Sequence, residues 1–161
     1  MCRNYVNVDG LRISLPEQIY DQIITEVAKY YPRECGGIFV GSIDISNSTA
    51  VIEQMLIPQK VKSTRILFRR FASGINKALS EIFNQTQGQQ YYLGEWHSHP
   101  NALPMPSGKD IRTMKGIVNN GNIRINTPLL LIVGYQPGIV NEQFYIFSNN
   151  NFTNYEQEGR A

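Results

Sequence analysis

Apolar residues recur at helical spacing in three segments of the chain. Over residues 14–32 they fall on one helical face, and Ser14 and Glu17 are spaced as a capping box in front of that face. The same periodicity returns over residues 71–88 and once more from Ser107 onward. The pattern therefore predicts three amphipathic helices.

Short runs rich in β-branched and aromatic residues predict strands in the remaining parts of the chain. They are bounded by Gly, Ser, Asn and Pro and cover residues 35–44, 50–58, 64–69, 91–99, 129–135 and 140–147. The run LLLIVGY at 129–135 is apolar at nearly every position. It is typical of a strand that is buried on both faces of a sheet.

Strands and helices mixed within 161 residues predict one domain of the mixed α/β (α+β) class, with a central sheet between helices. We expect this domain to cover residues 1–148. After Ser148 the chain becomes polar. We expect residues 149–161 to form a loose tail.

Composition narrows the class of protein. The formal net charge of +2 is too small to favour general binding to nucleic acid or to a membrane. Cys2, in what we expect to be a mobile N-terminus, and Cys35 predict neither a disulfide framework nor a cysteine zinc site. The N-terminus has no apolar signal segment, and no run of about 18 apolar residues occurs. We therefore expect a cytoplasmic protein.

One short segment holds both histidines of the chain, His97 and His99, in the predicted strand 91–99. Residues two apart in a strand face the same side, so the two imidazoles can meet one ion. A Pro-rich loop follows, and Ser107 and Asp110 then begin the third helix and bring a carboxylate back. Two nitrogens and one oxygen, with a fourth position open for water, are typical of a catalytic zinc site.

Each of these residues also has a purely structural interpretation that involves neither metal binding nor catalysis. The histidines alone could be one buried and one exposed imidazole, and Ser-x-x-Asp before an apolar helix is a capping box, which is compatible with a metal role. Cys35 could be a thiol nucleophile, but His97 and His99 would be its only bases, so a buried apolar role is favoured. Trp96 alternates with the histidines and is expected in the core.

A basic run precedes the second predicted helix. It contains Lys60, Lys62, Arg65, Arg69 and Arg70. Such a run is typical of a solvated face, and its second interpretation is a surface that steers an acidic partner or an extended substrate tail.

The order of these motifs resembles the JAMM (MPN-positive) zinc metalloprotease family. In this chain, Glu34 precedes a Gly-rich strand, HSH follows at 97–99, and SGKD follows at 107–110 after a spacer of seven residues that begins with Pro100. The resemblance covers residues 11–148. It implies a JAMM/cytidine-deaminase-like single domain with a mixed sheet flanked by helices.

The resemblance also implies a role for each matched residue. It implies one Zn²⁺ per chain with His97, His99 and Asp110 as ligands. Glu34 would be the general base and then the proton donor to the leaving amine, and Ser107 would hydrogen-bond the oxyanion. The implied activity is that of a metallo-isopeptidase, which hydrolyses an amide or isopeptide bond.

Within the family, PRECGGIFVG and the HSHP segment are similar to the stand-alone deconjugases of bacterial CBASS antiphage operons. That resemblance implies removal of whatever is attached to the C-terminus of a cGAS-like nucleotidyltransferase. The implied partner is a protein with an extended C-terminal tail or an isopeptide-linked conjugate, either such a nucleotidyltransferase or a ubiquitin-like protein. Small members also resemble proteases that trim a ubiquitin-like sulfur carrier. Other proteins of the fold are non-catalytic scaffolds, so the substrate stays open at this point.

Overall fold

The computed structural model describes residues 1–58, 67–121, 123 and 125–159, with residues 67–73 described by their backbone. The described residues form three α-helices and eight strands. The helices are α1 (Glu17–Tyr30), α2 (Leu67–Gln85) and α3 (Gly108–Val118). The strands are β1 (Cys2–Asn7), β2 (Arg12–Pro16), β3 (Gly36–Asp44), β4 (Thr49–Leu56), β5 (Tyr91–Pro100), β6 (Leu129–Gln136), β7 (Ile139–Ser148) and β8 (Asn151–Gln157).

All eight strands belong to one mixed sheet. Their order is β1-β2-β4-β3-β5-β6-β7-β8, and the antiparallel pairing of β1 with β8 closes the sheet on itself. The β2–β4 and β5–β6 pairs are parallel. The chain passes through α3 between β5 and β6, as a parallel pair requires a crossover connection. The predicted mixed α/β domain with a central sheet is confirmed.

The sheet separates two apolar cores. On one face, α1 buries Ile19, Ile23 and Val27 together with Trp96 of β5. On the other face, α3 buries Met114 and Ile117 against strand residues, and apolar residues of α2 pack beside them. Strand β6 is buried from residue 129 to 134, which confirms the predicted two-sided burial. No described helix has the length and apolar character needed to cross a membrane.

The N-terminus differs from the expected mobile segment, because Cys2 lies in β1, which pairs with β2 and β8. The Arg3 guanidinium lies 3.4 Å above the centre of the Tyr20 ring and 3.2 Å from Glu142 Oε1. Its Nε donates to Glu17 Oε2 at 3.0 Å. These contacts tie the first strand to α1 and β7.

The predicted capping box of the first helix is wrong. The N-cap of α1 is Pro16, which has no side-chain cap bond, and Ser14 lies inside β2. Glu17 begins the helix, and its carboxylate accepts from Arg3. The spacing was correct for a cap, but the chain is still a strand at that point.

The expected loose tail also needs correction. Residues 151–157 form β8, which pairs with β7 and β1, and Tyr155 is 3% exposed. Few of its side chains are apolar, so the side-chain pattern does not predict it. Backbone hydrogen bonds to two neighbouring strands, which carry no side-chain signal, place it in the sheet.

The predicted strand 64–69 is wrong where the structure describes it, because α2 begins at Leu67. Residues 59–66, with Lys60, Lys62 and Arg65, lie outside the described residues. The side chains of Arg69 and Arg70 lie outside them as well.

Candidate metal centre

The two histidines lie near the C-terminal end of β5, between β3 and the parallel strand β6. Leu93 is an extra residue in the β3–β5 pairing, and this bulge lets Leu93 and Trp96 both enter the core under α1. From Trp96 onward the alternation is regular, so His97 and His99 face the opposite side, toward α3. The predicted placement of Trp96 in the core is confirmed, since it is 1% exposed.

The two imidazoles direct nitrogens at one another. His97 Nε2 and His99 Nε2 are 3.0 Å apart. His99 Nδ1 lies 3.3 Å from the carbonyl oxygen of Leu103, which can only accept a hydrogen bond. The proton of the neutral His99 ring is therefore on Nδ1, and its Nε2 carries a lone pair directed toward His97.

Burial disfavours the charged form of His97. It lowers the pKa of His97 to about 4, and the electrostatic effects of His99 and Lys109 act in the same direction. The carboxylates of Asp110 and Glu34 act in the opposite direction, and burial outweighs them. At neutral pH, His97 is therefore a neutral imidazole, the form that ligates metals.

Asp110 supplies the oxygen atom of the candidate metal centre. It lies in the first turn of α3 and is 8% exposed, and its Oδ1 lies 3.3 Å from His97 Nε2. Its other oxygen, Oδ2, accepts from the backbone N–H of Ser107 at 2.5 Å and from the Ser107 hydroxyl at 2.7 Å. Ser107 therefore directs Oδ1 of Asp110 toward the histidines.

The three side chains are grouped so that they could hold one metal ion. His97, His99 and Asp110 offer ligand atoms that all lie within 4.8 Å of one another. Atoms bound about 2.0–2.1 Å from a tetrahedral zinc ion are roughly 3.3 Å apart. The separations of His97 Nε2 from His99 Nε2, 3.0 Å, and from Asp110 Oδ1, 3.3 Å, are close to that edge length. Two neutral nitrogens and a carboxylate oxygen are also the donor types that zinc accepts.

Glu34 reaches the same region from another part of the chain. It is exposed in the irregular segment between α1 and β3, and its charge acts on the pKa of His97. Gly36 makes this approach possible, because it pairs with His97 across β3 and β5. A Cβ atom at Gly36 would lie 2.5 Å from the Trp96 carbonyl oxygen and 3.1 Å from His97 Cβ. Only glycine allows this approach of the two strands.

Cys35 does not have the surroundings of a nucleophile. It is 9% exposed within the core under α1, and burial raises the pKa of its thiol. Its Sγ contacts Ser98 Oγ at 3.6 Å. The sequence-based preference for a buried apolar cysteine is confirmed.

Sequence reasoning missed two residues around the centre. The carbonyl of Leu103 orients His99, and a backbone atom leaves no trace in the residue pattern. Glu95 lies on the histidine face of β5, and burial, followed by the negative charge of Asp110, raises its pKa to about 7. The period of two through Glu95, His97 and His99 could have indicated it.

Ser107 is the N-cap of α3 and forms a full capping box with Asp110, as the sequence predicts. We expect Ser107→Ala to lower the free energy of unfolding of the metal-free protein by about 1 kcal/mol, because the first turn loses an acceptor. Urea unfolding measures this. Ser80→Ala on the exposed face of α2 is the control and should not destabilise the protein. Equal effects of the two changes would contradict a capping role.

Comparisons with known proteins agree with this architecture. A family model described as prokaryotic homologs of the JAB domain matches residues 16–146. The CD-NTase/cGAS isopeptidase of Enterobacter hormaechei is 32% identical over 126 residues, which are 78% of this chain and 68% of that protein. The probable metalloprotease y4qB of Sinorhizobium fredii is 22% identical over 75% of this chain and 74% of its own length. The chain belongs to the JAB family.

A solved structure supports the fold independently. Protein DSY2949 from Desulfitobacterium hafniense superposes with a TM-score of 0.59 over 91% of this chain and 89% of its own. Its sequence identity is 16%, so the likeness concerns the fold alone.

Proposed function

We propose that this protein is a zinc-dependent JAMM-type isopeptidase that hydrolyses the amide bond at the C-terminus of a ubiquitin-like-conjugated protein. The observation that carries the proposal is the convergence of His97 Nε2, His99 Nε2 and Asp110 Oδ1 on one point. Family membership and the metalloprotease and isopeptidase names of the relatives support it.

His97, His99 and Asp110 would hold the zinc ion, which supplies a Lewis acid at this position. The Glu34 carboxylate takes the proton of the attacking water and returns it to the leaving amine, so one side chain acts as base and then as acid. The location of Glu34 in an exposed segment beside His97 is compatible with access of a substrate to both groups.

Ser107 stands at the N-terminus of α3, next to the proposed zinc ligands. Its hydroxyl would hydrogen-bond the oxyanion that forms when the amide carbonyl is attacked. The same hydroxyl donates to Asp110 Oδ2 at 2.7 Å, so its two proposed roles share one proton. Ser107 therefore both positions the proposed metal ligand Asp110 and forms part of the proposed substrate site.

A groove beside α1 gives an extended substrate tail a place to bind. Strand β4 pairs with β3 as far as Leu56 but with β2 only as far as Val51, so its last residues have one strand neighbour among the described residues. The groove next to this edge is lined by Glu26, Met55 and Ile57. A second depression shares Glu26 and Ile57 and includes Glu34. A tail added as a strand along β4 would reach Glu34.

We propose a cGAS-like nucleotidyltransferase as the conjugated substrate, in cytoplasmic antiphage defence of the CBASS type. The name of the Enterobacter hormaechei relative supports this choice. The test uses zinc-loaded protein and a peptide with the C-terminal sequence of such a nucleotidyltransferase, joined through its terminal carboxyl to an aminocoumarin. We expect coumarin release that a chelator stops and added zinc restores.

Two controls separate the alternatives. A scrambled peptide of the same composition tests sequence recognition, and a peptide from a sulfur carrier ending in Gly-Gly tests the other substrate class. Preference for the Gly-Gly peptide would replace the nucleotidyltransferase with a sulfur carrier. Failure to release coumarin from every peptide, by protein that holds zinc, would favour a non-catalytic scaffold.

A further inference from the structure

Ser98 lies between the two histidines but faces the opposite side of the sheet, away from the proposed metal centre. It is 1% exposed, and it bonds both backbone polar groups of Cys35. Its Oγ accepts from the Cys35 N–H at 3.0 Å, and its own N–H donates to the Cys35 carbonyl oxygen at 2.8 Å. One side chain and one backbone group of β5 thus hold a residue 63 positions upstream.

This contact extends the sheet by one residue through a side chain. Strand β3 begins at Gly36, so Cys35 lies just outside the regular pairing of β3 with β5. The Cys35 N–H is buried, and the Ser98 hydroxyl is the acceptor that the structure gives it. Glu34 is the residue directly before Cys35 in the chain.

The irregular segment that carries Glu34 has a second tether. The Tyr31 hydroxyl donates to Asn101 Oδ1 at 2.9 Å. Tyr31 precedes Glu34, and Cys35 follows it. The partner of Tyr31, Asn101, lies in the loop directly after β5, and the partner of Cys35, Ser98, lies on β5. Both tethers therefore attach the glutamate segment to the part of the chain that carries the two histidines.

We propose that Ser98 is a positioning residue that acts through Cys35 to hold Glu34 at its working distance from the metal ligands. The inference rests on the proposed function in that Glu34 is the general base. The Ser98 hydroxyl bonds Cys35 on the face of the sheet opposite to the proposed metal ligands, and the contacts that orient His99 and Asp110 come from Leu103 and Ser107. Loss of the hydroxyl leaves a buried N–H without an acceptor, and the segment then shifts.

Valine and threonine have the same shape, so Ser98→Val and Ser98→Thr differ only in the hydroxyl. We expect Ser98→Val to lower kcat by about 10- to 100-fold relative to Ser98→Thr, because small displacements of a catalytic group are costly. KM and zinc content should be equal in the two variants. Ser98→Ala provides a variant without added volume and should resemble Ser98→Val.

Alkylation of Cys35 tests the tether between Ser98 and Cys35 independently of enzymatic activity. In a Cys2→Ser background, Cys35 is the only thiol of the chain, and its alkylation by iodoacetamide reports opening of this segment. We expect faster alkylation in Ser98→Val and Ser98→Ala than in Ser98→Thr. Ser42→Ala on β3, which removes an exposed hydroxyl that donates to Glu53, is the control and should match the parent.

The two proposals fail in different ways. Equal alkylation rates in Ser98→Val and Ser98→Thr would overturn the inference, whatever the activity. Equal kcat in these two variants of an active enzyme would overturn it too, as would loss of zinc in parallel with loss of kcat. Absence of hydrolysis in the zinc-loaded parent protein would instead reject the proposed function, and the alkylation rates would still decide whether Ser98 holds the segment.

Discussion

Alanine at both His97 and His99 is expected to reduce bound zinc from about one ion per chain to almost none, and to abolish hydrolysis. Both Nε2 atoms point to the place that Asp110 Oδ1 also faces, and one carboxylate alone does not hold zinc against dilution. The measurement is zinc per chain by mass spectrometry of the metal, after zinc loading and desalting.

The matched control changes two exposed residues with the same i, i+2 spacing in a strand, Asn154→Ala and Glu156→Ala of β8. This variant should keep the zinc content of the parent protein. If parent and histidine variant hold equally little zinc, the metalloenzyme proposal fails, and a binding scaffold becomes the better account of the chain.

Glu34→Gln is expected to lower kcat by about 10²- to 10⁴-fold while zinc content and substrate binding stay as in the parent protein. The amide has nearly the shape of the carboxylate but cannot take a proton from water. Its side chain is also not one of the three proposed ligands. Steady-state kinetics with the coumarin peptide, combined with a binding titration of the same peptide, separates the two effects.

Glu26→Gln is the control for this change, because Glu26 lines the same depression as Glu34 but its carboxylate lies 3.4 Å from Lys29 Nζ. We expect it to alter KM at most. Similar losses of kcat in the two variants would mean that charge in the depression matters rather than a base at residue 34. Full biological activity of Glu34→Gln would favour the scaffold.

Local periodicity of apolar residues was sufficient to predict the helices and strands that form the two cores. The helical spacing of Ile19, Ile23 and Val27 predicts the buried face of α1, and the unbroken apolar run of β6 predicts its burial on both sides. Strands β1 and β8 escaped prediction because three of the six side chains of β1 and five of the seven side chains of β8 are polar. They are held by backbone pairing with each other and with their neighbours.

The same distinction between local and tertiary features holds for the candidate site. The separation of His97 from His99 in a strand, and the capping box of Ser107 with Asp110 at the start of a helix, are local features, and both lie as predicted. Only the folded chain shows that the first turn of α3 returns to within 3.3 Å of His97.

The sequence by itself determined the residue types of the site and the two local geometries that present them, because strand and helix periods act over a few residues. It determined the family for the same reason, since the motifs are short. Tertiary structure alone decided that Glu34 approaches His97, and that Ser98 holds Cys35 across 63 residues. Contacts between distant segments depend on which strands become neighbours, and the pairing and packing of the whole sheet determine this strand order.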